Sequence, residues 1–84
     1  MSVEKLKAEI ADLNTQNDRF YNGLAPILNE WLTLTQQINQ ATTGTSQDVS
    51  AVHAALKDGD DAIHLIADAS IRLGQTLTAF AATL

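Results

Sequence analysis

The 84-residue chain contains no cysteine, a single proline, four glycines and four aromatic side chains. Without cysteine, neither disulfides nor thiolate metal sites can supplement the core. So short a chain buries a smaller fraction of its surface than a longer one does, so a compact monomer would be marginally stable. Any further stabilisation must come from helix packing or from self-association.

Basic residues are also scarce, because ten acidic residues stand against five lysines and arginines, a net charge of −5. An acidic protein is repelled by phosphate backbones and by anionic membrane surfaces. We therefore expect no nucleic-acid partner.

The chain has no long uninterrupted hydrophobic run. Residues 1–13 alternate charged and apolar side chains, so they are not predicted to be a signal peptide. The most apolar segment, residues 62–84, carries Asp68 and Arg72, which argues against a membrane span. Two locations remain open, the cytoplasm or export without a cleavable signal.

What the sequence does contain is a heptad repeat, with apolar residues recurring at alternating steps of three and four. Such a repeat is typical of long helices that pack through a seam of a and d positions. Asn17 is the one polar position of the first series, and Gly59 and Ser70 interrupt the second. The first series is Val3, Leu6, Ile10, Leu13, Asn17, Phe20, Leu24, Ile27, Trp31, Leu34, Ile38 and Ala41, and the second is Val49, Val52, Leu56, Gly59, Ile63, Ile66, Ser70, Leu73, Leu77, Phe80 and Leu84.

The repeat is lost in the small polar stretch ATTGTSQD, residues 41–48. Gly44 can adopt the left-handed conformation that ends a helix, and Thr45 with Asp48 fits a capping box. We predict a single all-α domain, an antiparallel hairpin with a helix at about 3–42, a turn at about 42–46 and a helix at about 46–84.

Pro26 and Gly59 normally interrupt helices, yet the apolar phase continues past both. We therefore predict two continuous helices, with α-helix 1 bent at the proline. The alternative treats these residues as true breaks and gives four segments, near 2–22, 26–42, 46–57 and 61–83, in a monomeric four-helix bundle.

Two seam registers are possible. If residue numbers across the seam add up to about 90, Trp31 lies opposite Gly59, and the glycine provides space for the indole. A register about three residues different places Asn17 beside Ser70 instead. We prefer the first, in which Trp31 packs in the core rather than serving as an exposed anchor. Asn17 is either a buried amide that specifies the register or a residue near a frayed end.

Apolar side chains also lie off the seam, and a hairpin alone cannot cover them. We therefore predict that the hairpin forms a homodimer, a four-helix bundle, or a larger helical assembly. The off-seam residues are Leu28, Leu32, Leu65 and Ile71.

The search for chemistry finds no catalytic motif. Asp60, Asp61, His64 and Asp68 share a helical face, which we interpret as solvated rather than as a metal site, because a second histidine within reach is missing. The serines lack an accompanying base, and no phosphate-binding glycine loop is present. We expect no enzyme activity, no metal and no cofactor.

In size and layout the chain resembles small secreted helical hairpins whose turn carries a tryptophan-x-glycine motif, and in length the needle subunits of type III secretion systems. The turn here contains no tryptophan, and Trp31 is followed by Leu32 and Thr33. The proline-bearing turn of needle subunits is absent too. The resemblance covers shape and composition, and no functional residue is carried over.

Two functional hypotheses remain. The first is a self-associating assembly module. The second is a small acidic inhibitor or adaptor that docks on a basic site of a larger protein. Its docking residues would be the exposed acids Asp58, Asp60, Asp61 and Asp68.

Overall fold

The computed structural model describes residues 2–84, which form two helices, α1 (Val3–Thr42) and α2 (Ser50–Ala82). The helices pack side by side in a hairpin that measures 66 × 17 × 16 Å. This confirms the predicted all-α hairpin. The alternative of four separate helical segments is wrong.

Helix α1 begins where Ser2 accepts a hydrogen bond at its Oγ from the backbone amide of Lys5, at 3.1 Å. This bond satisfies one of the free amides of the first turn. The helix continues through Pro26, as the unbroken phase predicts. It ends at Thr42, and Gly44 follows with a φ of 78°, the left-handed conformation that a glycine adopts without strain.

The start of α2 differs from the prediction, because the helix begins at Ser50 rather than near residue 46. The capping box was the wrong inference. Thr45 Oγ1 accepts from the amide of Gln47 at 3.2 Å, and Asp48 Oδ1 accepts from the amide of Ser50 at 3.0 Å. Each side chain thus closes a local turn with the residue two positions ahead, which keeps this segment out of the helix.

Helix α2 runs without interruption through Gly59 and ends at Ala82, again as the phase predicts. No helix within residues 2–84 has an apolar stretch long enough to cross a membrane. The four segments of the rival architecture are therefore joined into two long helices, which pack against each other.

The helices contact each other along positions that recur every seven residues, the a positions of the predicted repeat. Ile10, Leu56 and Ser70 are the buried members. The next most covered positions lie four residues after the a positions, the e positions of the repeat. On α1 these are Asn14, Leu28, Thr35 and Thr42, and on α2 they are Asp60, Ala67, Gly74 and Ala81.

The predicted seam is therefore rotated, since most of its d positions turn outward instead of facing the other helix. Among the outward-turned d positions of α1, exposure runs from 40% at Leu34 to 53% at Phe20, whereas Leu6 is half-buried. Small residues on α2, at Ala67, Gly74 and Ala81, allow α1 to approach closely on the e side. The bulkier d residues are consequently left at the surface.

Candidate interaction surface

Trp31 fixes one layer of the hairpin. Its Nε1–H donates to the backbone carbonyl of Leu56 at 2.8 Å. Its ring occupies the space that a Cβ would need at Gly59. The predicted pairing of Trp31 with Gly59 is confirmed, and the side chain is half-buried in the seam rather than an exposed anchor.

Asn17 and Ser70 form a second layer of contacts between the helices, joined by two reciprocal hydrogen bonds. The amide Nδ2 donates to the Ser70 carbonyl at 2.9 Å, while the Ser70 hydroxyl donates to Asn17 Oδ1 at 2.7 Å. A Cβ at Gly74 would lie 3.3 Å from the same amide nitrogen. Asn17 is thus a satisfied seam residue and not part of a frayed end.

The two layers coexist in one register, although the sequence suggested that they exclude each other. A side chain in an antiparallel pair reaches between two residues of the facing helix. The Trp31 side chain bonds Leu56 and covers Gly59, and Asn17 likewise bonds Ser70 and touches Gly74. The preferred pairing was right, and treating the Asn17–Ser70 pairing as its rival was wrong.

The outward-turned d positions lie on one side of the hairpin, which we call the apolar face. Leu13 and Phe20 of α1 line an open groove together with Ile66 and Leu73 of α2, so both helices contribute to the same side of the hairpin. Every member is at least 40% exposed. The apolar face comprises Leu13, Phe20, Ile27, Leu34, Val52, Ile66, Leu73 and Phe80.

At the height of Asn17 and Ser70, the groove on the other side of the hairpin is more polar. It is lined by Asn14, Asp18 and Gln75, together with Tyr21 and Ile71. The apolar face and this groove therefore lie on opposite sides of the same hydrogen-bonded layer.

The four off-seam residues singled out from sequence do not form one patch with the apolar face. Leu28 is half-buried and lines a groove with Tyr21 and Ile63. Leu32 and Ile71 are exposed in grooves away from the apolar face. Leu65 is the most exposed, at 66%. Sequence reasoning missed the d residues because it assigned them to the seam. The signal that could have found them is the small-residue column at 67, 74 and 81.

The acidic residues of α2 are partly engaged within the chain. Asp61 lies 2.8 Å from Lys57 Nζ, and this hydrogen bond raises the pKa of Lys57. Asp60 lies 3.6 Å from His64 Nε2. Asp58 and Asp68 are exposed. Within residues 2–84, no three side chains come together as metal ligands would.

No family model matches the chain, and neither does any curated protein or solved structure. The surface must therefore be interpreted from its own chemistry.

Proposed function

We propose that this protein is a non-enzymatic assembly module that self-associates through the apolar face to form a four-helix bundle. The observation that carries the proposal is the stripe of large apolar side chains at seven-residue spacing on the same side of both helices. Contiguous exposed apolar surface of this kind marks interaction sites. Heptad spacing fits the side chains of another helix pair.

The large accessible surface of the hairpin favours a partner of similar size. Its accessible surface is 6260 Å², whereas a compact monomer of 9.0 kDa exposes roughly 4,900 Å². The excess of about 1,400 Å² is more than the roughly 800 Å² that each partner contributes to a standard interface. A second hairpin on the apolar face would therefore cover a large part of this excess.

The distribution of charge supports a second copy as that partner. An acidic chain can pair with itself only through a surface that is poor in charge, because like charges in contact are unfavourable. By their places in the seven-residue repeat, Asp58, Asp61 and Asp68 fall outside the apolar face, while Glu9 and Glu30 border it along α1. Two copies can therefore meet without bringing their acid-rich surfaces together.

Sedimentation velocity over a hundredfold range of concentration tests the proposal. We expect a dimer that dissociates on dilution, and we expect Ile66→Glu and Leu73→Glu to weaken it. Each substitution acts twice in a symmetric dimer, so the dissociation constant should rise at least about 100-fold. The charged side chains are placed where the wild-type residues are already half exposed, which limits their effect on the hairpin itself.

Matched controls come from apolar residues outside the apolar face. Ile71→Glu introduces the same charge at a similarly exposed position, and Leu65→Glu at a more exposed one, and both should leave the dimer intact. Equal weakening by both sets would show that the apolar face is not the interface. A folded monomer at every concentration would contradict self-association altogether. It would favour the acidic inhibitor or adaptor instead, with Asp58 and Asp68 as its exposed acids.

A further inference from the structure

We infer that the second copy lies antiparallel to the first, so that the turn of each hairpin packs beside the open end of the other. This inference rests on the proposed self-association and specifies its geometry. The two ends of the hairpin differ in charge and in bulk, and both differences favour the antiparallel arrangement.

Charge is distributed unevenly along the hairpin. The turn half, residues 24–65, carries five acidic residues and one basic residue, a net charge of −4. The open half, residues 1–23 and 66–84, carries five acidic and four basic residues, a net charge of −1. A parallel dimer would place the two −4 halves side by side. The antiparallel dimer places each turn half against an open half that holds Lys5, Lys7, Arg19 and Arg72.

Bulk on the apolar face is distributed unevenly as well. Of the two phenylalanines of this face, Phe80 lies near the open end, whereas Phe20 lies close to the middle of the rod and meets the same level in either orientation. In the turn half α2 presents Val52 on the face, with Ala55 and Ala62 beside it. Ala55 precedes Ala69, which lines the groove, by four turns of the helix, and Ala62 precedes it by two turns. Antiparallel packing sets large side chains against small ones, which fills space without overpacking.

The hairpin is long enough for the two orientations to be separated by a distance measurement. Its length is 66 Å, and its turn is exposed. In an antiparallel dimer the two turns lie at opposite ends, separated by a distance close to this length. In a parallel dimer they lie side by side, within roughly 10–25 Å, one to two helix-packing distances plus side chains.

The test is pulsed electron spin resonance on single spin-labelled cysteines, which the cysteine-free chain allows without further changes. One label is placed in the turn by Ser46→Cys, and the second near the middle of the rod by Asn22→Cys. We expect a long distance for the turn label and a shorter one for the middle label, in a sample shown to be dimeric by sedimentation.

The possible failures are distinguishable. A turn-to-turn distance below about 30 Å in a dimeric sample overturns the antiparallel orientation but leaves self-association in place. If neither label gives a dipolar signal and the sample sediments as a monomer, the proposed function and this inference both fail. A long turn distance with a short middle distance supports both.

Discussion

Two layers hold the hairpin in register, and they achieve it by different physical means. In each, a side chain of α1 donates an N–H to a backbone carbonyl of α2 and packs against a glycine: Trp31 bonds Leu56, and Asn17 bonds Ser70. The donors are fourteen residues apart in α1, and the acceptors are fourteen apart in α2. The layers therefore repeat with the same offset.

The difference lies in what makes each layer selective. The Trp31 layer depends on shape, because only a glycine at 59 leaves room for the indole. The Asn17 layer depends on polarity, because a shift of seven residues would place the amide against Ile63 or Leu77 and leave its hydrogen bonds unmade. A steric clash can be relieved by small movements of the side chains. An amide that has lost its hydrogen-bond partners in the seam cannot be satisfied in this way. Long, uniform apolar helices need such devices to exclude neighbouring registers.

The largest expected loss of stability comes from removing the Trp31 side chain. Trp31→Ala removes the side chain that fills the space at Gly59, and we expect it to cost about 3 kcal/mol, near the low end for large-to-small core changes because the residue is only partly buried. Urea unfolding followed by circular dichroism measures it. Trp31→Phe keeps much of the bulk but loses the bond to Leu56, and should cost less. If both variants unfold at the wild-type midpoint, the layer does not stabilise the hairpin.

The second prediction compares two glycines that both lie in the interior of a helix, Gly59 and Gly23. Gly59→Ala places a methyl group where the Trp31 ring lies, so the ring must leave, and we expect a net loss of about 2 kcal/mol. Gly23→Ala is the control, because its methyl group would meet nothing within 4 Å. It should instead stabilise by up to about 1 kcal/mol through helix propensity.

Both glycine variants are to be measured at the lowest usable protein concentration, so that association does not contribute. Opposite signs for the two changes support the shape mechanism. Stabilisation by both would mean that position 59 has space to spare.

The third effect tests the polar layer. Asn17→Ala and Ser70→Ala each remove one partner of the two-way bond, and each should cost about 1–2 kcal/mol. Because the residues bond each other, the double variant should cost less than the two singles together, by about 0.5–1.5 kcal/mol. A double-mutant cycle by denaturant unfolding measures this coupling. Strictly additive costs would indicate that the two side chains act independently.

The polar layer also allows a prediction about uniqueness rather than stability. Asn17→Leu replaces the amide by a side chain that any apolar layer accepts, so stability should change little or rise, while register specificity falls. Spin labels near Trp31 and Leu56 would then report a broader distance distribution than in the wild type. An unchanged, narrow distribution would assign register selection to the Trp31 layer alone.

How far the sequence predicts this molecule follows from the same layers. Heptad phase alone predicts two helices through Pro26 and Gly59, and the unusual size of Trp31 predicts its glycine partner. Phase cannot predict the rotation of the helices about their axes, since the centres of an a/d seam and an a/e seam differ by only about 50° of rotation about the helix axis. That rotation decides which side chains remain at the surface. The sequence therefore identifies every residue of the apolar face as part of the heptad repeat, but it does not predict that these residues lie at the surface.

The turn was predicted less well for a different reason. Thr45 and Asp48 have the spacing of a capping box, and both side chains do cap amides, but each finds a nearer one. Competing local bonds of similar strength cannot be ranked from residue types alone.

The smallest expected effect lies at this turn, outside both layers. The hydroxyl and backbone amide of Ser50 donate to Asp48 and lower its pKa. A carboxylate whose pKa is lower in the folded state stabilises the fold above its unfolded pKa, and this contribution is lost as the pH falls through the folded value. Asp48→Asn should therefore be slightly less stable than the wild type at neutral pH. The difference should shrink as the pH falls below the ordinary aspartate value of about 3.9. Thermal unfolding curves recorded at intervals of about one pH unit, between roughly pH 2 and 7, measure this difference in stability.

The control is Asp18→Asn, which changes an exposed residue in the middle of α1. If both variants show the same pH profile, the bond to Ser50 does not help to position the start of α2, and the register depends on the two layers alone.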